Sequence, residues 1–281
     1  MHHCLVFRYI SFLLNFGLFV QMNNFKGNYK IWPMNLIYID ETPSTNNYAT
    51  NRFQTEPLEE GTVILTFRQT HGRGQATNTW ESEENRNLTF SLILRPDFLP
   101  VSAQFFLSQV VSLGLADYLS TETEDVAIKW PNDILIENRK IAGILIENSI
   151  LGNNIAWSVA GIGLNLNQQT FRDYLPRAVS LSNVTGRKYD PERVLNDLFS
   201  AIMSKYSLLK EGRTEIIQQE YLRKLFRMKE WCRYRAEGNT FIARATGTDE
   251  YGRLVLEDQK GKFTVWPFKG VEMLWDNPGY L

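Results

Sequence analysis

The segment best suited to chemistry is a glycine-rich loop, His71-Gly72-Arg73-Gly74-Gln75, which directly follows a β-branched stretch typical of a strand. Glycines adopt positive φ and let the backbone approach a ligand closely. Arg73 lies between two of them and can offer a planar pair of donors to a carboxylate or a phosphate. The loop lacks the Gly-Lys-Ser/Thr ending of a P-loop. Taken alone, such a loop is more often a flexible surface turn.

A second candidate segment is Lys129-Trp130-Pro131-Asn132-Asp133, at the end of an apolar strand. The rigid Trp-Pro step and the two polar residues after it would fix the charge of Lys129 at the rim of the sheet, where substrates tend to bind. The alternative is a lysine that only extends from the rim into solvent.

Two further apolar strands contain glycines, one in Lys140–Glu147 at Gly143 and the other in Gly161–Asn167 at Gly161 and Gly163. Glycine weakens a strand unless something must approach its backbone. Close approach is therefore one interpretation, and a β-bulge or tight packing is the other. Asn165 in the second strand could pair with the edge of an adenine, as amides do elsewhere.

The segment Pro43-Ser44-Thr45-Asn46 opens a predicted helix, and its serine and threonine are good N-cap residues. As a lone feature it is a helix cap. Gln69, just before the glycine loop, would ordinarily be an exposed polar residue.

The elements that must position these segments follow from hydrophobic periodicity. Strands are predicted at 36–40, 62–69, 87–94, 126–130, 134–137, 140–147 and 155–166, and helices at 44–53, 101–119, from Asp190-Pro191 onward, and at 215–228. After Glu230 short strands alternate with turns, which suggests a small β-barrel of five strands. The sequence therefore predicts an α+β fold with a mixed sheet and a small all-β domain after it.

Composition excludes several classes of protein. The 281 residues are 43% hydrophobic and carry a formal net charge of −1, which favours a proper core and argues against a general nucleic-acid binder. Two distant cysteines, Cys4 and Cys232, fit a reducing compartment and neither a disulfide framework nor a zinc site. The apolar stretch 4–20 falls short of the ~20 residues that span a bilayer and lacks the features of a signal peptide.

Together, in this order, the candidate segments are far more specific than any of them alone. The chain resembles the catalytic module of the biotin–protein ligases (biotin–[acetyl-CoA-carboxylase] ligases) over residues 35–230, and Lys-Trp-Pro-Asn-Asp is close to diagnostic. The tail resembles the family's SH3-like C-terminal domain. The resemblance implies a leader over 1–33 that is unstructured or precedes the true start, a class II synthetase-like catalytic domain with flanking helices over 34–230, and the SH3-like domain over 231–281.

The resemblance also implies an activity and a set of site residues. The enzyme would form biotinyl-5'-AMP from biotin and ATP, with Mg²⁺ on the ATP phosphates, and would transfer biotin to a lysine of a biotin carboxyl carrier protein. Implied biotin contacts are Ser44, Thr45, Asn46, Gln69, Arg73, Gly74, Gln75, Lys129 and Gly143. Implied ATP contacts are Gly72, Arg73, Lys129, Asn132 and Asn165, with Lys129 and Arg73 as the catalytic cations and no metal ligands from the protein.

Two departures from the family pattern qualify this. Many relatives have a basic residue where this chain has Gln75, so a charge role there is in doubt. Repressor members carry an N-terminal winged helix-turn-helix, whose helical pattern is missing from the residues before Asn35. The sequence therefore predicts a cytoplasmic enzyme without a DNA or membrane partner, and it permits a homodimer.

Three other functions fit parts of the pattern. A lipoate or octanoate ligase or transferase shares the fold but would need an apolar slot without the Ser-Thr-Asn set. A non-catalytic sensor of biotin or its adenylate is disfavoured by the presence of Lys129 and Arg73. A DNA-binding repressor is disfavoured by the charge and by the missing motif.

Overall fold

The structure is a computed structural model that describes residues 33–75, 78–175 and 177–275. The predicted leader lies outside the described residues except for Pro33. Residues 32–281 form one compact unit. None of the described helices is long and apolar enough to cross a membrane.

A mixed sheet dominates the larger part of the described chain. Its strands are β1 (Asn35–Tyr38), β2 (Thr62–Thr66), β5 (Leu88–Leu94), β6 (Val126–Lys129), β7 (Asp133–Ile136), β8 (Arg139–Leu151) and β9 (Asn154–Leu164). Their spatial order is β1-β2-β5-β9-β8-β7-β6. Only the β1–β2 pair within it is parallel. The glycine loop adds a separate short hairpin of β3 (Gly72–Arg73) and β4 (Thr79–Trp80), where the sequence predicted a loop.

The two faces of this sheet carry different side chains. One face is apolar and packs on α2 (Phe105–Glu122), α4 (Pro191–Lys210) and α5 (Thr214–Lys224), through residues such as Phe90 and Ile162. The short helix α1 (Thr45–Arg52) covers part of the other face with Ala49 against Ile64, Ile93 and Val159. The rest of that second face carries small and polar residues, which leaves room for a site.

The sequence predicted most helices and strands correctly, but it predicted some of their ends wrongly. Asp190 caps α4 by accepting a bond from Glu192 N at 3.0 Å, with Pro191 in the first turn, as predicted. The last long helix ends at Lys224 and not at 228, because Phe226 N instead donates to Ile128 O of β6 at 2.8 Å. The short helix α3 (Leu181–Thr185) was not predicted.

The tail folds into an antiparallel sheet of five strands in the described residues. These are β10 (Trp231–Ala236), β11 (Asn239–Thr248), β12 (Leu254–Asp258), β13 (Phe263–Trp266) and β14 (Glu272–Met273), in the order β13-β12-β11-β10-β14. The predicted α+β class with a small C-terminal β-domain is confirmed. Cys232 is a buried free cysteine, and burial raises the pKa of its thiol.

An aromatic junction joins the tail to the main sheet. Trp130 donates from Nε1 to Gly252 O at 2.8 Å, and its ring lies 5.5 Å from that of Phe268. Phe105 lies 5.7 Å from Phe268 and also packs edge-on against Tyr221. The segment Lys129–Asp133 is therefore anchored from the side of the tail. The division of the chain at residue 230 stays a prediction.

Where α2 crosses α4, we predict that replacing a glycine by alanine lowers the stability of the protein, although alanine normally stabilises a helix. Gly114→Ala should raise helix propensity by ~1 kcal/mol. A Cβ there, however, would lie 2.6 Å from Ile202 Cα, and that backbone cannot move freely. We expect a net destabilisation of about 1–3 kcal/mol from overpacking, measured by denaturant unfolding. Ser108→Ala on the same helix is the control, and a Gly114→Ala variant as stable as the parent would contradict the close crossing.

Candidate active site

A cavity lies on the polar face of the main sheet, between the start of α1, the β3–β4 hairpin and the β6–β7 turn. The strands β8 and β9 form its floor. Its lining includes Ser44, Thr45, Asn46, Gln69, Arg73, Gly74, Gln75, Trp80, Asn132, Asp133, Lys140, Gly143, Leu145, Gly161 and Gly163. Eight of the residues predicted to contact biotin therefore meet in one place, and Lys129 is the ninth, which does not line it.

Glycines in the floor of the cavity allow side chains of neighbouring elements to pack directly on the strand backbone. A Cβ at Gly161 would lie 2.3 Å from Asn46 Oδ1, and a Cβ at Gly163 would lie 2.2 Å from the Trp80 ring. Gly143 lies under the edge of the same ring. The close approach considered from the sequence is real, and here the approaching groups are side chains of the protein itself.

One end of the cavity is lined by buried polar side chains. Asn46 is 3% exposed and donates from Nδ2 to Leu145 O at 3.2 Å, while its Oδ1 accepts from Ser91 Oγ at 2.6 Å. Ser91 Oγ also lies 2.7 Å from Thr45 Oγ1, and Thr45 N donates to Gln69 Oε1 at 2.9 Å. These side chains hold each other in fixed orientations.

This polar end still has hydrogen-bonding capacity left. Gln69 uses its Oε1, while its Nε2 has no hydrogen bond to any described residue. The Asn46 Oδ1 has one lone pair left after its bond with Ser91. The cavity can therefore offer both donors and an acceptor to a ligand with a carbonyl and an N–H group.

The cavity also contains two cationic side chains, and each of them already has an acidic partner. The Arg73 guanidinium contacts the Glu147 carboxylate. Lys140 Nζ lies 2.6 Å from Asp133 Oδ1 and 5.8 Å from the centroid of the Trp80 ring.

Lys129 lies in a neighbouring cavity between the two sheets. Its Nζ is 5.4 Å from the centroid of the Trp275 ring, which also contacts Arg177 at 4.5 Å. Gln75, Asn132 and Asp133 line both cavities, so they form the boundary between them, and Lys269 from the tail lines the second.

Three of the residues predicted to contact biotin or ATP make hydrogen bonds that stabilise the fold. Asn132 donates from Nδ2 to Ile144 O at 2.8 Å and helps join β7 to β8. Asn165 is 4% exposed, donates to Val179 O at 3.1 Å, and does not line these two cavities. Ser44 caps α1 through Asn47 N, as the simpler interpretation held.

Gly72 lies beneath Trp80 O and faces a third groove behind the hairpin.

Sequence reasoning missed four residues of the site, namely Ser91, Trp80, Lys140 and Glu147. Ser91 had a usable signal, because it is a small polar residue inside the apolar strand Leu88–Leu94. Glu147 had another, because it follows Gly143 and Leu145 at the two-residue period of one strand face. The position of Lys140 depends on the pairing of β7 with β8, which the sequence does not specify.

The chain is similar to known proteins in sequence. Residues 38–165 match the Biotin/lipoate A/B protein ligase family. The bifunctional ligase/repressor BirA of Bacillus spizizenii is 34% identical, over 83% of this chain and 72% of its own. The biotin–[acetyl-CoA-carboxylase] ligase of Paracoccus denitrificans is 30% identical, over 79% of this chain and 93% of its own.

A solved structure has the same fold. The biotin protein ligase from Aquifex aeolicus in complex with biotin and ATP superposes with a TM-score of 0.72 at 26% identity, covering 85% of this chain and 98% of that chain. Since these curated relatives are at least 30% identical and are matched over most of their length, this chain belongs to the biotin–protein ligase family.

Proposed function

We propose that this protein activates the carboxylate of biotin with ATP and transfers biotin to a lysine of a carrier protein. The observation that carries the proposal is a single cavity that combines buried, uncharged hydrogen-bonding side chains with the cations Arg73 and Lys140. Biotin has matching chemistry, since it bears both a ureido ring and a carboxylate.

The polar end suits the ureido ring. A buried ureido group needs donors for its carbonyl and acceptors for its N–H groups, and an unpaired one costs about 1–3 kcal/mol. Gln69 Nε2 supplies a donor and Asn46 Oδ1 an acceptor, while Thr45 and Ser91 hold these amides in place. A lipoyl ring has no such groups, so this end of the cavity favours biotin over the lipoate alternative.

The two cations of the cavity suit the first chemical step. An oxygen of the biotin carboxylate attacks the α-phosphorus of ATP, and the bond to pyrophosphate breaks. Both reactants are anions, so Arg73 and Lys140 reduce their repulsion and stabilise the charge of the transition state. In the second step the ε-amine of the acceptor lysine attacks the biotinyl carbonyl carbon, and AMP leaves.

The neighbouring cavity suits the rest of the nucleotide. Lys129 and Lys269 line it, and it meets the first cavity at Gln75, Asn132 and Asp133. We assign Lys129 to the pyrophosphate side of ATP, in place of the contact with biotin that the sequence suggested. Mg²⁺ keeps most of its ligands from phosphates and water, and Asp133 is an acidic side chain at the boundary that could touch it. The metal would offset phosphate charge there. An adenine contact by Asn165 stays a prediction.

The partner is a biotin carboxyl carrier domain of a carboxylase, in keeping with the name of the Paracoccus relative. A cytoplasmic location, the absence of a DNA partner and a homodimer stay predictions.

The direct test of this function is ATP–pyrophosphate exchange. We expect exchange that depends on biotin, followed by a mass increase of a carrier domain when ATP, Mg²⁺ and biotin are present. Lipoate in place of biotin is the control. Exchange driven by lipoate, or none from folded protein with either acid, would reject the proposal.

The two lysines should differ in their effect on catalysis. We expect Lys140→Ala to slow adenylation by about 10²–10³-fold, the scale of one lost electrostatic donor. Lys129→Ala should slow it by less, about 10-fold, with most of the change in the KM for ATP. Single-turnover adenylation measures both, and melting temperatures check folding. A larger loss of adenylation in Lys129→Ala than in Lys140→Ala would show that Lys129 contacts the carboxylate.

The floor glycine gives a prediction about biotin binding. Gly161→Ala should displace the Asn46 amide, whose Oδ1 would lie 2.3 Å from the new Cβ. We expect the KM for biotin to rise about tenfold, the cost of about one hydrogen bond, with a smaller change in kcat. The same substitution in an Asn46→Ala background should change the KM little further. If the two substitutions raised the KM for biotin independently of each other, Gly161 would not act through Asn46.

A further inference from the structure

Glu147 lies on β8, two residues beyond Leu145 of the cavity lining. Its Oε2 accepts a hydrogen bond from Asn46 Nδ2 at 2.8 Å and also contacts the Arg73 guanidinium. The side chain is 35% exposed, so water reaches part of the carboxylate. One oxygen atom thus joins the amide of Asn46 to the guanidinium of Arg73.

The contact with Asn46 fixes the orientation of its amide. The two Nδ2 protons go to Leu145 O and Glu147 Oε2, and both acceptors lie on β8. The Oδ1 is thereby directed at Ser91 Oγ, with its second lone pair available to a ligand. Without Glu147, one proton of this buried amide would lose its acceptor.

The contact with Arg73 gives this cation a counter-ion inside the site. Arg73 belongs to the β3–β4 hairpin, whose pairing is short, so its side chain has few other restraints. The pair with Glu147 holds the guanidinium beside β8, next to the Asn46 amide. A substrate carboxylate or phosphate that binds Arg73 must compete with this built-in carboxylate.

We propose that Glu147 is a positioning residue, which orients the Asn46 amide and holds Arg73 over the cavity until a substrate anion takes its place. The inference rests on the proposed function, because it assumes that the anion belongs to biotin or its adenylate. When Arg73 turns to the substrate, Glu147 keeps its bond with Asn46 and is not left without a partner.

The test compares two ligands that share the ureido ring. Biotin carries a carboxylate, and its alcohol analogue biotinol has the same ring and chain without the charge. Titration calorimetry without ATP gives the dissociation constant of each. Their ratio reports how well the site binds the anion, and the affinity for biotinol alone reports the polar end.

Two variants separate the two roles of the residue. Glu147→Gln keeps an oxygen for Asn46 and removes the charge, so the preference for biotin over biotinol should rise about threefold, the scale of a partly exposed ion pair. Glu147→Ala removes both contacts, so the affinity for biotinol should fall about tenfold, the scale of one lost hydrogen bond. Glu137→Gln is the matched control, because Glu137 pairs with Arg139 away from the cavity.

The effect of Glu147→Gln on the preference for biotin should depend on Arg73. In an Arg73→Gln background, Glu147→Gln should leave the ratio of the two affinities unchanged, because no cation remains to be released. An unchanged or lower ratio in the single Glu147→Gln variant would overturn the competition with substrate. Biotinol affinity equal to the parent in a folded Glu147→Ala variant would overturn the orientation of Asn46. The parent's biotin-dependent exchange tests the proposed function separately from all of these results.

Discussion

The contact between Asn46 and the backbone of Gly161 is the constraint on which the site depends. Asn46 can reach Leu145 O and Glu147 only because no side chain rises from the floor at Gly161. The same requirement recurs at Gly163 beneath Trp80. Glycines weaken the strands, and the apolar residues that β9 presents to the helices on its opposite face, such as Ile162 and Leu164, offset this cost.

The second sheet gives the site its other wall. The bond from Trp130 to Gly252 and the packing of Phe105 and Phe268 join the sheets directly beside Lys129. A long nucleotide needs cations along its whole polyphosphate, and a cavity between two anchored sheets can supply them at fixed spacing. The tail is therefore part of the nucleotide-binding arrangement that we propose, and its attachment matters for Lys129 more than for the polar end.

Elements with strong local signals were predictable from the sequence. The Asp190-Pro191 start of α4 and the cap at Ser44 depend on neighbouring residues, and both formed as expected. The assignment of Lys129 to biotin stays a prediction, because two lysines lie on the strands either side of β7, Lys129 on β6 and Lys140 on β8. In the structure Asp133 pairs with Lys129 on one side and with Gly143 on the other, across an irregularity in β7–β8. That irregularity brings Lys140 to the cavity, and local patterns do not encode it.

The ion pairs of the site suggest how it binds its substrates. Arg73 and Lys140 are paired with Glu147 and Asp133, so the cavity holds two ion pairs instead of two free cations. Two unpaired cations in one cavity would repel each other and would be costly to shield from water. Binding of biotin and ATP then exchanges one set of anions for another, and the affinity reflects only the difference between the sets. Such an exchange costs some affinity, but it keeps both cations in place before the substrates arrive, which is the preorganisation that electrostatic catalysis requires.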